Sequence, residues 1–297
     1  MKLLCRALSI FLVLVAARAA SASHAQRDEI VIGLTPEINI FQQMERFKPL
    51  SRYLSDQVGR TVRFRSLTRH GNIAEDFEQH HLDGAFFGSF TGALAIRKLG
   101  MVPIARLVEL DGRSGYAGVI FVRKDSGIGN VAAMRGKRFA FVEKATSAGY
   151  LFPLTYLHAH GVKDADAFLG ESYFAGSHDA SVYAVLQGKA SIGAAKDTVY
   201  DWVRAKEPRI DKELVVLARS GEFPSNGLGV RKDMDASLKA KLKSALLHLH
   251  DRPQGMQVLA ALGSKRFAET MVEDYQPVFD AVGKAGIDIR KYAFRYD

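Results

Sequence analysis

The chain has 297 residues, 47% of them hydrophobic and 25% charged, with a formal charge of +9. That composition is globular and the length suits one large or two medium domains, which excludes a disordered or low-complexity chain. Beyond the N-terminus there is no run of about 18 apolar residues, so no later membrane-spanning helix is implied.

The first residues read as an export signal. Lys2 and Arg6 form a positive region, Ala7 to Ala17 is apolar, and small residues offer cleavage at Ala20-Ser21-Ala22 or Ser23-His24-Ala25. Residues 1–25 are therefore expected to be a signal peptide. An uncleaved anchor is the alternative, against which stand the short apolar run and its end at Arg18. Cys5, the one cysteine, leaves with the signal, so the mature chain has no disulfide, thiol nucleophile or thiolate metal site. Removing Lys2, Arg6 and Arg18 from the 41 basic residues leaves 38 against 32 acidic ones, a charge of +6. It is spread along the chain with no basic run, which argues against nucleic acid and favours the approach of an anion.

One unit then recurs: a short apolar strand, a break at Gly, Ser, Thr or Asp, and an amphipathic helix. This predicts an α/β fold with mostly parallel strands. A strand over 29–34 leads through Thr35-Pro36 into a helix that ends near Gly59. A strand over 61–67, a polar helix over 72–82 and a buried strand over 83–88 follow. Ser89-Phe90-Thr91 opens a helix to Leu99, and strands cover 102–108 and 116–122. A strand over 138–142 precedes Thr146-Ser147-Ala148-Gly149, which opens a helix to His160. Strands over 171–175 and 191–195 lead into helices at Ser177-His178-Asp179 and at Asp197. A strand over 214–218 and an irregular return over 223–230 precede an all-helical remainder. Extended segments near 112–122 and 216–230 bracket the middle block. They are expected to be two crossings between lobes formed by 26–115 with 225–297 and by 116–224, a hinge architecture.

In open α/β sheets ligands bind beyond the carboxyl ends of strands. Five strand-to-helix junctions lie there: Thr35, Ser89-Phe90-Thr91, Thr146-Ser147, Ser177-His178 and Asp197. Free N–H groups and a partial positive charge suit helix starts to anions, although Ser, Thr and Asp also serve there as plain caps. His178 is the sharpest candidate for donating to an anion, with a surface histidine at a helix start as the alternative. Asp197 reads either as a cap or as a contact to a ligand's hydroxyl or cationic group. Phe90 sits where it would wall a cleft. His70, His80 and His81 lie in a polar stretch without metal spacing, and neither a metal nor a cofactor is expected. No nucleophile elbow, P-loop or dinucleotide fingerprint occurs, so no enzyme is expected.

Thr146-Ser147-Ala148-Gly149-Tyr150-Leu151-Phe152-Pro153 followed by Gly176-Ser177-His178-Asp179-Ala180 resembles the signature of the phosphate, phosphite and phosphonate solute-binding proteins of ABC importers. The resemblance extends to Asp83-Gly84-Ala85, to the segment ending at Asp197 and to Asp274-Tyr275. It implies the type II periplasmic binding fold, a two-lobed α/β architecture with a two-strand hinge. It further implies a periplasmic location, a monomer, a small anionic ligand and an ABC permease, or alternatively a membrane sensor kinase, as partner. Carried over by position, Thr146, Ser147 and His178 hold the oxyanion, with Ala148 in the same turn. Ser89, Phe90 and Thr91 match a site segment, and Asp197 matches a position that meets the rest of the ligand. Two positions depart from the family: Ala145 stands where a serine is common, and Phe90 is the nearest match to a frequent cleft tyrosine.

Overall fold

The structure is a computed structural model that describes residues 29–67 and 73–292. The signal-peptide expectation and His70 lie outside these residues.

The first sheet is nucleated by β1 (Glu29–Leu34), α1 (Ile40–Val58) and β2 (Thr61–Ser66). Asn39 caps α1 by accepting from the amides of Phe41 and Gln42, and Gly59 closes it at φ 72°. A left-handed residue ends a helix at least cost when it has no Cβ. Leu50, Tyr53, Leu54 and Val58 recur on one face of α1 and are buried over the sheet. Then come α2 (Ile73–Gln79), β3 (Gly84–Phe87), α3 (Ser89–Leu99) and β4 (Val102–Glu109). The chain crosses to the second sheet on β5 (Gly115–Arg123). There it forms β6 (Arg138–Phe141), α4 (Phe152–Ala159), α5 (Ala165–Phe168), β7 (Glu171–Phe174), α6 (His178–Leu186), β8 (Ile192–Lys196), α7 (Asp197–Lys206) and α8 (Arg209–Glu213). It returns on β9 (Leu214–Pro224), completes the first sheet with β10 (Gly227–Val230), α9 (Ala236–Leu247), α10 (Pro253–Leu262) and β11 (Ser264–Glu269), and ends in α11 (Gln276–Lys284), whose Val278 and Val282 pack in one cluster with Phe139 and Phe141 of β6.

The strand orders are β11-β4-β10-β3-β1-β2 and β7-β6-β8-β5-β9. Three expectations are corrected. The strands are not mostly parallel: four of the described pairings are parallel and five antiparallel. The crossing strands β5 and β9 pair with each other antiparallel, and β10 re-enters the first sheet against the direction of its neighbours. The segment 223–230 is not irregular, because β9 runs to Pro224 and β10 begins at Gly227. The C-terminal part is not all helical either. β11 buries only Ser264 and Phe267 well, so it carries no alternating pattern to reveal it.

The turn that brings Thr146 and Ser147 to the junction of the sheets is a single π-helical turn, Ser147–Leu151, ahead of α4. It folds tightly onto the end of β6, where the amide of Val142 donates to the Gly149 carbonyl at 3.1 Å. A Cβ at position 149 would lie 2.4 Å from the Val142 side chain and 2.8 Å from Thr146 Oγ1. Gly149→Ala is expected to lower the urea midpoint by the equivalent of about 1–3 kcal/mol, the cost of overpacking a close approach. An unchanged midpoint would show that the turn absorbs the methyl group.

Candidate functional site

The strand-to-helix junctions of both sheets converge. Ser89, at the start of α3 on the first sheet, places its Oγ 2.7 Å from Ser147 Oγ on the second. The Tyr116 hydroxyl, carried by the crossing strand β5, bonds the same Ser89 oxygen. All three side chains are buried, and burial pushes the Tyr116 phenol up, with Lys196 and the Ser89 hydrogen bond opposing. Thr146 is buried beside them and donates through Oγ1 to the Glu143 carbonyl at 2.7 Å, which shapes the turn.

A charged group adjoins this hydroxyl cluster. Lys196 ends the fully buried strand β8, so its ammonium is carried into the protein. Its Nζ bonds the Glu37 carboxylate of the first sheet and Asn226 Oδ1 at 2.6 Å, and lies 4.5 Å above the Tyr116 ring. Burial pulls the lysine down, but Glu37, Tyr116 and Glu109 outweigh it, and its pKa stands above the ordinary value. His178, fully buried at the start of α6, accepts the Lys196 amide on Nδ1 at 3.2 Å. The neutral ring then carries its proton on Nε2, which faces Glu37 Oε2 at 3.9 Å. The two sides also meet through backbone: the His178 amide donates to the Glu37 carbonyl at 3.3 Å, and the Asn39 amide to Asp179 Oδ2 at 3.3 Å.

The remaining expected residues are placed differently. Phe90 is buried in the core with its ring 5.5 Å from Tyr292. Thr91 Oγ1 donates to the Gly88 carbonyl at 3.0 Å, a local bond within the start of α3. Ala148 lies beneath Gly118 of β5, where a Cβ at 118 would meet its Cα at 3.1 Å. Asp197 is 1% exposed and is held at the crossing. Its Oδ1 accepts the amides of Ala117 and Thr198, and its Oδ2 accepts Arg113 at 3.1 Å and Arg219 at 2.8 Å. Two cations and two amides account for the carboxylate, so here it ties both crossings to the start of α7.

A chamber of about 420 Å³ opens between the sheets beyond the Glu37–Lys196 pair. Glu37, Tyr116 and Lys196 belong to both the chamber and the cluster. Its walls include Ile38 and Phe47 from one side and Trp202 from the other. Sequence reasoning missed Glu37, Lys196, Tyr116 and Asn226. A lysine that ends a wholly apolar strand one residue before a junction is the signal for Lys196. Tyr116 escaped because the tyrosine hydroxyl was sought at position 90, on α3, whereas it comes from the crossing strand.

Two sheets joined by a pair of crossing strands, with hydroxyls and a buried ammonium where they meet, have the type II periplasmic binding fold. Residues 32–275 match the family model described as ABC transporter, phosphonate, periplasmic substrate-binding protein, and the chain belongs to that family. Its relatives include the phosphate-import protein PhnD of Mycolicibacterium smegmatis, 29% identical over 59% of this chain and 57% of that one. The phosphonates-binding periplasmic protein of Escherichia coli is 23% identical over 82% of this chain and 73% of that one. The structure of PhnD1 from Prochlorococcus marinus in complex with methylphosphonate shares the fold. Its TM-score is 0.76 at 22% identity, over 87% of this chain and 98% of that one.

Glu109, at the end of β4, faces the chamber and accepts from Ser225 Oγ at 3.0 Å. Burial pushes its carboxyl up, against the Ser225 bond and Lys196. A carboxyl whose folded pKa lies above its unfolded one binds protons more tightly when folded, so its charge destabilises at neutral pH. Glu109→Gln is expected to raise the urea midpoint at pH 7. The gain should shrink as pH falls through the raised pKa and wild-type Glu109 becomes neutral. A midpoint lowered at pH 7 would reverse the assignment.

Proposed function

We propose that the protein captures a small phosphonate-like oxyanion between its two sheets in the periplasm and delivers it, as a monomer, to an ABC permease. The observation that carries this is the meeting of Ser89 and Ser147 from separate sheets, with Tyr116 and Lys196 beside them. Hydroxyls and an ammonium donate to an oxyanion, and the starts of α3 and α6 add oriented amides. The lobes divide near residues 115 and 225, and β5 with β9 forms the hinge on which they close.

The arrangement favours binding over turnover. Ser147 Oγ is engaged with another hydroxyl, and His178 Nδ1 is occupied by the Lys196 amide. A nucleophile would need its base within hydrogen-bonding reach.

Calorimetry on the mature chain with phosphate, phosphite, methylphosphonate and 2-aminoethylphosphonate tests the reading. Binding of at least one at micromolar or lower Kd is expected. Ser147→Ala and Ser89→Ala should each weaken it about tenfold to a hundredfold, the range for a hydrogen bond to a charged group. Heat from none of the four would end the ligand claim and leave the fold untouched.

A further inference from the structure

The chamber beyond the clamp is too large for a bare inorganic oxyanion. A water takes about 30 Å³ in the liquid, so a tetrahedral oxyanion occupies on the order of 100 Å³. The chamber holds about 420 Å³. Its charged lining is already engaged. Lys196 bonds Glu37, Arg113 bonds Asp111, and Arg46 donates to the carbonyls of Ala261 and Leu262. Apolar side chains on the chamber wall include Ile38, Phe47, Leu110, Val199 and Trp202, with polar ones such as Thr35, Gln43 and Asp201 between them. Leu110 is 71% exposed, so a large apolar side chain stands over the chamber and faces water. An exposed apolar wall of this kind, rimmed by charges, is the surface that an apolar ligand covers.

We infer that the solute is an organophosphonate with an apolar substituent. Its oxyanion lies at the Ser89, Ser147 and Lys196 end, and its aryl or branched alkyl group fills the chamber against Trp202, Phe47 and Leu110. The inference rests on the oxyanion reading above and adds the class of substituent. Glu37, Tyr116 and Lys196 are shared by clamp and chamber, so the chamber adjoins the charged end of the clamp. An uncharged substituent leaves the Arg113–Asp111 pair on the chamber wall undisturbed. An apolar one loses water on both sides.

The test is calorimetry on the mature protein with phosphate, methylphosphonate and phenylphosphonate, repeated on Trp202→Ala and Leu110→Ser. Leu110 is exposed, so Leu110→Ser gives a folded reference if Trp202→Ala is unstable. Phenylphosphonate is expected to bind at least tenfold more tightly than methylphosphonate. Each variant should lose most of that advantage while holding methylphosphonate within about twofold. Methylphosphonate or phosphate binding as tightly as phenylphosphonate would overturn the inference and leave the oxyanion reading in place. So would a phenyl advantage that survives in both variants. Heat from none of the three would overturn this inference, and the oxyanion reading with it if phosphite and 2-aminoethylphosphonate are silent as well.

Discussion

The structure turns on one buried cation. Moving an unpaired ammonium into a protein interior costs many kcal/mol, so it must find an anion or give up its proton. Lys196 keeps the proton, because Glu37 reaches it from the other sheet and Asn226 and the Tyr116 ring complete its surroundings. Glu37, the residue that answers the charge, sits in the loop between β1 and α1, while Lys196 ends β8. The two sheets are thereby joined by a charge pair as well as by the apolar cluster that runs from Phe90 and Leu94 of α3 to Phe139 and Phe141 of β6. Removing one partner of such a pair leaves the other stranded, typically at about 3–5 kcal/mol. A ligand that brings its own negative charge can substitute for part of what Glu37 supplies.

The hinge is held by a different carboxylate. Asp197 accepts from Arg113 and Arg219, one at each crossing, and from the amide of Ala117. It anchors the crossing strands to the start of α7, while Ser89, Glu37 and Asn39 add polar contacts between the two sides. The division of labour also explains two carboxylates near one site. Asp197 is spent on the crossing strands, and Glu37 is the carboxylate that meets the buried ammonium.

The strand-break-helix rhythm made the α/β class legible, and apolar runs such as Ile192 to Ala195 marked the buried strands. The antiparallel pairings were not legible, since strand direction depends on how the chain returns from the second sheet, and β10 gives no local sign of it. Ser89 and Ser147 were legible as hydroxyls at helix starts, where chemistry and position coincide. Lys196 and Tyr116 were not, because each sits at the end of an apolar strand whose neighbours read as core. Asp197 was visible as a junction residue. Only the fold shows that two arginines distant in sequence occupy its oxygens.

The central claim is that this cleft shuts on a ligand, and inter-lobe distance tests it most directly. Cys5 is the one cysteine of the sequence, so with Cys5→Ser two others can be introduced for spin labels. Phe41 of α1 and Lys206 of α7 line one surface pocket together with Arg46 and Trp202 of the chamber wall, and Phe41 is 79% exposed. With Phe41→Cys and Lys206→Cys labelled, pulsed dipolar spectroscopy should give a longer, broader distance without ligand. A saturating phosphonate should shift it to a shorter, narrower one. A distance unchanged by a ligand that calorimetry shows to be bound would contradict the account.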